Sequence, residues 1–372
     1  MTDRNLVLLA GKEGDGFAAA VAAELGEPLC DVEYTAFPGD GGPGTGETKV
    51  HIRQNLRDRD VHILWSAGHA PSELFVVLQL IDAAKLSAEA HRVSLITPEL
   101  PFGRQDKSHE RRECVSTRLL ARLLEAAGLD HVLAADLHSD QTEAQFRIPL
   151  DHIRTRPIWA HYIASWYRRR AATWHLAPEA GDLVLGVPDA GRSRAVRELS
   201  DEVARHARSG DRKIRIRLAF HDKQRRWEEP GRIDSFSLLG DVHGRVVWFS
   251  DDLLGSGDTL FAAAQAAKAA GARAVICSVT HAHGYDLPDR PFARRLAESA
   301  IDELVVSDTN PLFVRRVLAD PELSSRITIL SLAPFFAEAV RRVRRGETLK
   351  EMMRDFKDHG SLYRVAQEAS HV

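Results

Sequence analysis

The stretch VVWFSDDLLGSGDTLFAAAQAAKAAGARAVICSVT, residues 246–280, decides the fold. RVVWFSDD, residues 245–252, reads as a buried strand with the two acids at its end, TLFAAAQAAKAAG as a helix closing on glycine, and ARAVICSVTHAHG as a second buried strand. Strand, helix and strand in succession imply parallel strands covered by a helix. The same alternation recurs on both sides. NLVLLAG, DVHILWSA, HRVSLITPEL, HVLAADLH, DLVLGVPDAG, KIRIRLAFHDK and ELVVSDT read as further strands. DGFAAAVAAELG, PSELFVVLQLIDAAKL, STRLLARLLEAAG and SRAVRELSDEVARHA have helical spacing between them. The pattern occurs twice, with the polar stretch RRRAATWHLAPEAGD near the join. The expected architecture is α/β: two related domains, residues 1–155 and 156–350, each a mainly parallel sheet covered by helices, then an extension over 351–372.

Composition sets the bounds. A chain of 372 residues suits two domains, and 44% hydrophobic with 28% charged residues is ordinary for a globular protein. A formal net charge of -3 gives no reason to expect nucleic acid as a partner. No apolar run reaches membrane-spanning length, so no membrane partner is expected. Three widely spaced cysteines, Cys30, Cys114 and Cys277, fit a reducing compartment, and the cytoplasm is the expected location.

Ligands of open parallel sheets sit at the carboxyl ends of the strands. The residues expected there are Arg104, Gln105 and Asp106, then His138, Asp189, Lys223 with Arg225, and Asp251 with Asp252. Cations, acids and one imidazole suit phosphates, a divalent cation and sugar hydroxyls. The turn GSGDT opens a helix, so its free N–H groups and the helix dipole favour an anion. Asp251 and Asp252 just before it can accept hydrogen bonds from vicinal hydroxyls or hold a hydrated Mg2+. The plain alternative is a strand ending in a solvated turn, with an Asp as helix cap.

Five blocks in order carry a resemblance to the ribose-phosphate pyrophosphokinases, or phosphoribosyl pyrophosphate (PRPP) synthetases, over roughly residues 4–350. They are FGRQDKSHERRECVSTRLLARLLEAAGLDHVLAADLHSDQTEAQFRIPLDHI, LVLGVPDAGRSRAV, FHDKQRR, LLGDVHGRVVWFSDDLLGSGDTL and ILSLAPFFAEAVRRV. The resemblance implies a type I phosphoribosyltransferase-like fold and transfer of pyrophosphate from MgATP to the 1-hydroxyl of ribose 5-phosphate, releasing AMP. It implies that Lys223 and Arg225 are catalytic, that His138 and Asp189 are ligands of Mg2+, and that Arg104 and Gln105 bind ATP. It assigns the sugar phosphate to Asp251, Asp252, Gly255, Ser256, Gly257, Asp258 and Thr259. Phe37 and Glu47 fall in the family's loop that reaches the adenine of a neighbouring subunit, which reads FPGDGGPGTGET here. That implies a homo-oligomer with an ATP site shared between subunits.

The sugar-phosphate loop departs from the family pattern. Gly255 replaces an acid, and Asp258 replaces a glycine. A carboxylate beside a dianionic phosphate costs about 1–4 kcal/mol, depending on screening. Either Asp258 points away from the phosphate or the acceptor differs. Two alternatives therefore stay open on sequence: a pyrophosphokinase for another pentose, and a catalytically weak regulatory homologue.

Overall fold

The computed structural model describes residues 5–12, 14–39, 46–66, 70–108, 110–176, 181–188, 193–206, 216–225, 233–354 and 359–368, the side chains of 70–72, 220–225, 233–239 and 359 excepted. Two compact units form, the first from Met1–Arg154 with Thr309–Pro311 and Ala333–Leu349, the second from the remainder.

The first unit follows its apolar runs. Its elements are β1 (Leu6–Ala10), α1 (Gly16–Leu25), β2 (Val32–Ala36), β3 (Thr48–Ile52), β4 (Asp60–Leu64), α2 (Ala70–Asp82), β5 (Arg92–Thr97), α3 (Ser116–Ala126), β6 (His131–Ala135) and β7 (Leu150–Ile153). Five strands form a parallel sheet in the order β1-β4-β5-β6-β7. Alternate side chains such as Leu9, Ile63, Leu95 and Val132 pack in one core with Leu80 and Ile81 of α2 and Leu120 and Leu124 of α3. Asp15 caps α1 by accepting from the N–H groups of Phe17 and Ala18. Strands β2 and β3 pair with each other as an antiparallel hairpin.

The second unit contains α4 (Arg156–Ala171), β8 (Leu183–Val187), α5 (Ser193–His206), β9 (Ile216–Arg225), β10 (Ile233–Leu239), β11 (Val246–Leu254), α6 (Asp258–Ala269), β12 (Ala274–Ala282), α7 (Phe292–Glu298), β13 (Glu303–Ser307), α8 (Pro311–Ala319), α9 (Pro321–Arg326) and β14 (Ile327–Ser331). After α10 (Ala333–Arg345), which folds with the first unit, come α11 (Leu349–Arg354) and β15 (Arg364–Gln367). The sheet order is β10-β9-β8-β11-β12-β13-β14-β15, parallel from β9 to β14 and antiparallel at both edges. Central β11 is buried on both faces. Trp248 packs with Trp166 and Tyr162 of α4 on one side, and Val247 and Phe249 pack with Leu260 and Ala263 of α6 on the other. Each buried polar edge is met: Trp248 Nε1 donates to Ser278 Oγ at 2.9 Å, and Trp166 Nε1 to Glu303 Oε2 at 2.9 Å. Gly186, opposite Phe249 in the β8–β11 ladder, leaves room for that ring, because a Cβ there would lie 2.2 Å from it.

The α/β architecture of two mainly parallel sheets is as expected. Four features differ from the sequence reading. The β2–β3 hairpin was not foreseen. Much of the stretch before residue 171 is the buried helix α4. The helix after β14 joins the first unit. The residues expected as an extension supply β15, which pairs with β14. No helix among the described residues is long and apolar enough to cross a membrane.

Candidate functional site

In the second unit, the ladder between β11 and the long β12 runs on past the apolar stretch, through Asp251 opposite Val279 to Leu254 opposite Ala282. Asp251 and Asp252 thus lie within β11, which extends to Leu254, two residues past the run RVVWFSDD. Asp252 is buried, Asp251 is half-buried, and an Asp251 carboxylate oxygen accepts the Asp252 N–H at 3.0 Å. Gly255 and Ser256 form the turn. Gly257 takes φ 90° as the residue before α6, a left-handed conformation that favours glycine. It offers the helix no side-chain cap, which leaves the first-turn N–H groups without that partner, as an anion site requires. Asp258 and Thr259 are the first residues of α6 rather than part of a loop.

The structure shows what holds Asp258. Its Oδ1 accepts from Arg295 Nη1 at 3.0 Å and its Oδ2 from Ser256 Oγ at 3.0 Å. The Arg295 side chain is 2% exposed, whereas that of Asp258 is 65% exposed. Arg295 also donates through Nη2 to the Tyr285 carbonyl at 2.6 Å, and its guanidinium lies 5.7 Å and 6.0 Å from the ring centres of Phe261 and Phe292. The carboxylate is therefore neutralised from behind the turn. Ser256, expected as a phosphate donor, directs its hydroxyl hydrogen to Asp258. The turn's other end is tied as well, since Tyr285 N–H donates to the Gly255 carbonyl at 3.0 Å.

Lys223 and Arg225 lie in β9 rather than in a loop after it, opposite Phe236 and Ile233 of β10. Their side chains, and Asp189 altogether, fall outside the described residues.

In the first unit, Arg104 and Gln105 are exposed on the connection from β5 to α3. That connection is pinned from below: Thr117 Oγ1 donates to the Phe102 carbonyl at 2.8 Å, and Gln105 N–H to the same carbonyl at 2.9 Å. Ser116 Oγ donates to Gln105 Oε1. Phe37 and Glu47 flank the loop end of the β2–β3 hairpin. Phe37 N–H donates to the Glu47 carbonyl at 2.8 Å, and the Phe37 side of this pair is 44% exposed.

His138 is exposed just past β6. The backbone before it is held in an unusual shape, with Asp136 at φ 40°. Asp136 N–H donates to the Ile153 carbonyl at 3.0 Å, and Leu137 N–H donates to His152 Nε2 at 3.0 Å. His152 Nδ1 lies 3.1 Å from Glu143 Oε1, so Nδ1 carries the proton and Nε2 accepts. Asp140, Glu143 and His152 gather closely enough to suggest a metal centre. Both ring nitrogens are already committed, however, and Asp140 accepts from Arg154 at 3.0 Å, so the group is a brace for the His138 turn.

Sequence reasoning missed Arg295 and His152. Arg295 had a signal, since it shares one helical face with Phe292 and Leu296, and a cation on an apolar stripe needs a partner. His152 had none, because the donor it accepts from is a backbone N–H in another strand's turn.

The comparisons agree with the layout. Residues 6–128 match the family model for the N-terminal domain of ribose phosphate pyrophosphokinase, and residues 221–354 match the phosphoribosyl synthetase-associated domain. The ribose-phosphate pyrophosphokinase of Mycobacterium tuberculosis (strain H37Rv) is 32% identical over 342 residues, covering 91% of this chain and 93% of that protein. The protein of the same name from Fusobacterium nucleatum is 29% identical over 349 residues, covering 94% and 98%. The crystal structure of phosphoribosylpyrophosphate synthetase from Mycobacterium smegmatis matches with a TM-score of 0.76 at 31% identity, covering 92% of this chain and 100% of that one.

Burial holds the pKa of His152 below its usual value, and that of the fully buried His62 in β4 likewise. Both are neutral in the fold, so the stability they contribute is present above the unfolded value of 6.5 and is lost as pH falls through the depressed folded values. The melting temperature should therefore drop as pH is lowered from about 7.5 to about 5.5. His152→Gln can place an amide oxygen near the Nε2 position for Leu137 but cannot protonate, and should make that drop shallower. An identical pH slope in the variant would contradict the brace.

Proposed function

The chain belongs to the ribose-phosphate pyrophosphokinase family, and from that premise we propose how its residues carry out the reaction. The activity is that of a ribose-phosphate diphosphokinase. The 1-oxygen of ribose 5-phosphate bonds to the β-phosphorus of ATP, the bond from that phosphorus to the α–β bridging oxygen breaks, and AMP and a proton leave with PRPP as product. The observation that supports the acceptor assignment is the turn Gly255–Thr259. Its amides stand at the head of α6, and its one carboxylate is already paired with Arg295.

In this reading the α6 amides, with Gly255, Ser256, Gly257, Asp258 and Thr259, hold the 5-phosphate. Asp251 and Asp252 accept from the ribose hydroxyls. Lys223 and Arg225 stabilise the charge that spreads over the phosphate oxygens during transfer, where positioning and cations do most of the work. Arg104 and Gln105 hold ATP, a guanidinium fork being suited to phosphate oxygens. His138 and Asp189 are the proposed residues for Mg2+. An exposed imidazole two residues past Asp136 suits a hydrated cation held largely through oxygen. When bound, that ion neutralises phosphate charge. Free cysteines, with no disulfide among them, support a cytoplasmic location.

The assembly is proposed to be a homo-oligomer in which Phe37, with Glu47, serves the adenine of a neighbouring copy. Its exposure at the hairpin end supports this assignment. Dilution that yields monomers should then abolish AMP release, and light scattering that reveals a fully active monomer would rule the shared site out.

The reaction itself is tested by AMP release from MgATP and ribose 5-phosphate. Lys223→Ala or Arg225→Ala should lower turnover by about two orders of magnitude while ATP binding survives. Turnover near that of the unmodified protein would remove these residues from the mechanism.

A further inference from the structure

We propose that Arg295 is a positioning residue for acceptor binding: it staples both ends of the 255–258 turn and keeps the Asp258 carboxylate from competing with the sugar phosphate. The inference rests on the assignment of that turn to the 5-phosphate.

The hydrogen bonds form a closed ring. The Gly255 carbonyl accepts from Tyr285 N–H at 3.0 Å, and the Tyr285 carbonyl accepts from Arg295 Nη2 at 2.6 Å. Arg295 Nη1 then donates to Asp258 Oδ1 at 3.0 Å. One planar guanidinium thus holds Asp258 directly and the Gly255 end through the backbone of Tyr285, a two-pronged geometry that an ammonium cannot reproduce. The rings of Phe261 and Phe292 hold it in place, and Phe261 also packs where a Gly257 side chain would go.

The competition argument follows from where Asp258 stands. It is the first residue of α6, where a carboxylate is itself attracted to the helix N-terminus. Without Arg295 this side chain, which is 65% exposed, would be an anion tethered to the amides that a phosphate must use. With Arg295 in place, both carboxylate oxygens are occupied, by the guanidinium and by Ser256. The pair is electrically neutral overall, so a dianionic ligand meets amides rather than a like charge. The acceptor favoured by this arrangement carries a terminal phosphate.

The test is steady-state AMP release by the full chain, varying ribose 5-phosphate and ATP separately, with melting temperatures recorded alongside. Arg295→Gln should raise KM for ribose 5-phosphate by about tenfold or more and leave KM for ATP within about twofold, because only the acceptor meets the freed carboxylate. Arg295→Lys, with charge but no fork, should fall between. Adding Asp258→Asn to Arg295→Gln should recover most of the lost acceptor affinity, since the competitor is gone. An unchanged KM for ribose 5-phosphate in Arg295→Gln, an equal rise for both substrates, or a double variant no better than the single would each overturn the proposal. If the unmodified protein released no AMP with ribose 5-phosphate, the functional reading would fail instead. Binding of inorganic phosphate, followed by calorimetry, would then decide the role of Arg295: it should weaken in Arg295→Gln and return in the double variant, and equal binding in all three would overturn it.

Discussion

A guanidinium taken out of water must find partners for its charge, and at Arg295 those partners are the Asp258 carboxylate and the carbonyl of Tyr285, whose own N–H holds Gly255 at the far end of the turn. That constraint organises the turn before α6. Strand β11 delivers two aspartates, Gly257 turns the chain with positive φ, and α6 opens with uncapped amides. Each feature alone is common. Together they set two carboxylates beside a turn of N–H donors whose own Asp258 is paired with Arg295, a combination that suits sugar hydroxyls and a phosphate. An Asp in such a turn looks unfavourable until its counter-charge is found thirty-seven residues further along the chain.

How much of this was legible in the sequence depended on where the information lay. The strand–helix–strand at residues 246–280 was readable because strands buried on both faces are continuous apolar runs. Helix α4 was not. Its aromatic residues Trp159, Tyr162, Trp166 and Tyr167 are all buried, and a helix covered on most sides lacks the polar stripe that reveals helical period. The β2–β3 hairpin was hidden for the opposite reason, since VEYTA and TKVHI are mostly half-buried or exposed and have no strong apolar run.

The candidate site shows the same division. The residue types were readable from position at the end of each apolar run, but how far the strands run on past them was not. Asp251 and Asp252 sit inside β11 because β12 continues the ladder beside them, and Lys223 and Arg225 sit inside β9 because β10 pairs back on it. Pairing partners distant in sequence set those limits. The same holds for His152, whose imidazole stands in for a backbone acceptor at the turn before His138, and for Arg295. In each case a residue far along the chain positions a functional residue through one directed hydrogen bond.

The central claim is that the backbone amides at the head of α6 hold the terminal phosphate of the acceptor. Amide hydrogen exchange of residues 255–261, with and without saturating ribose 5-phosphate, measures this directly. The account predicts slowed exchange in that segment when the sugar phosphate is bound. Unchanged exchange there, with protection appearing elsewhere in the chain, would contradict it.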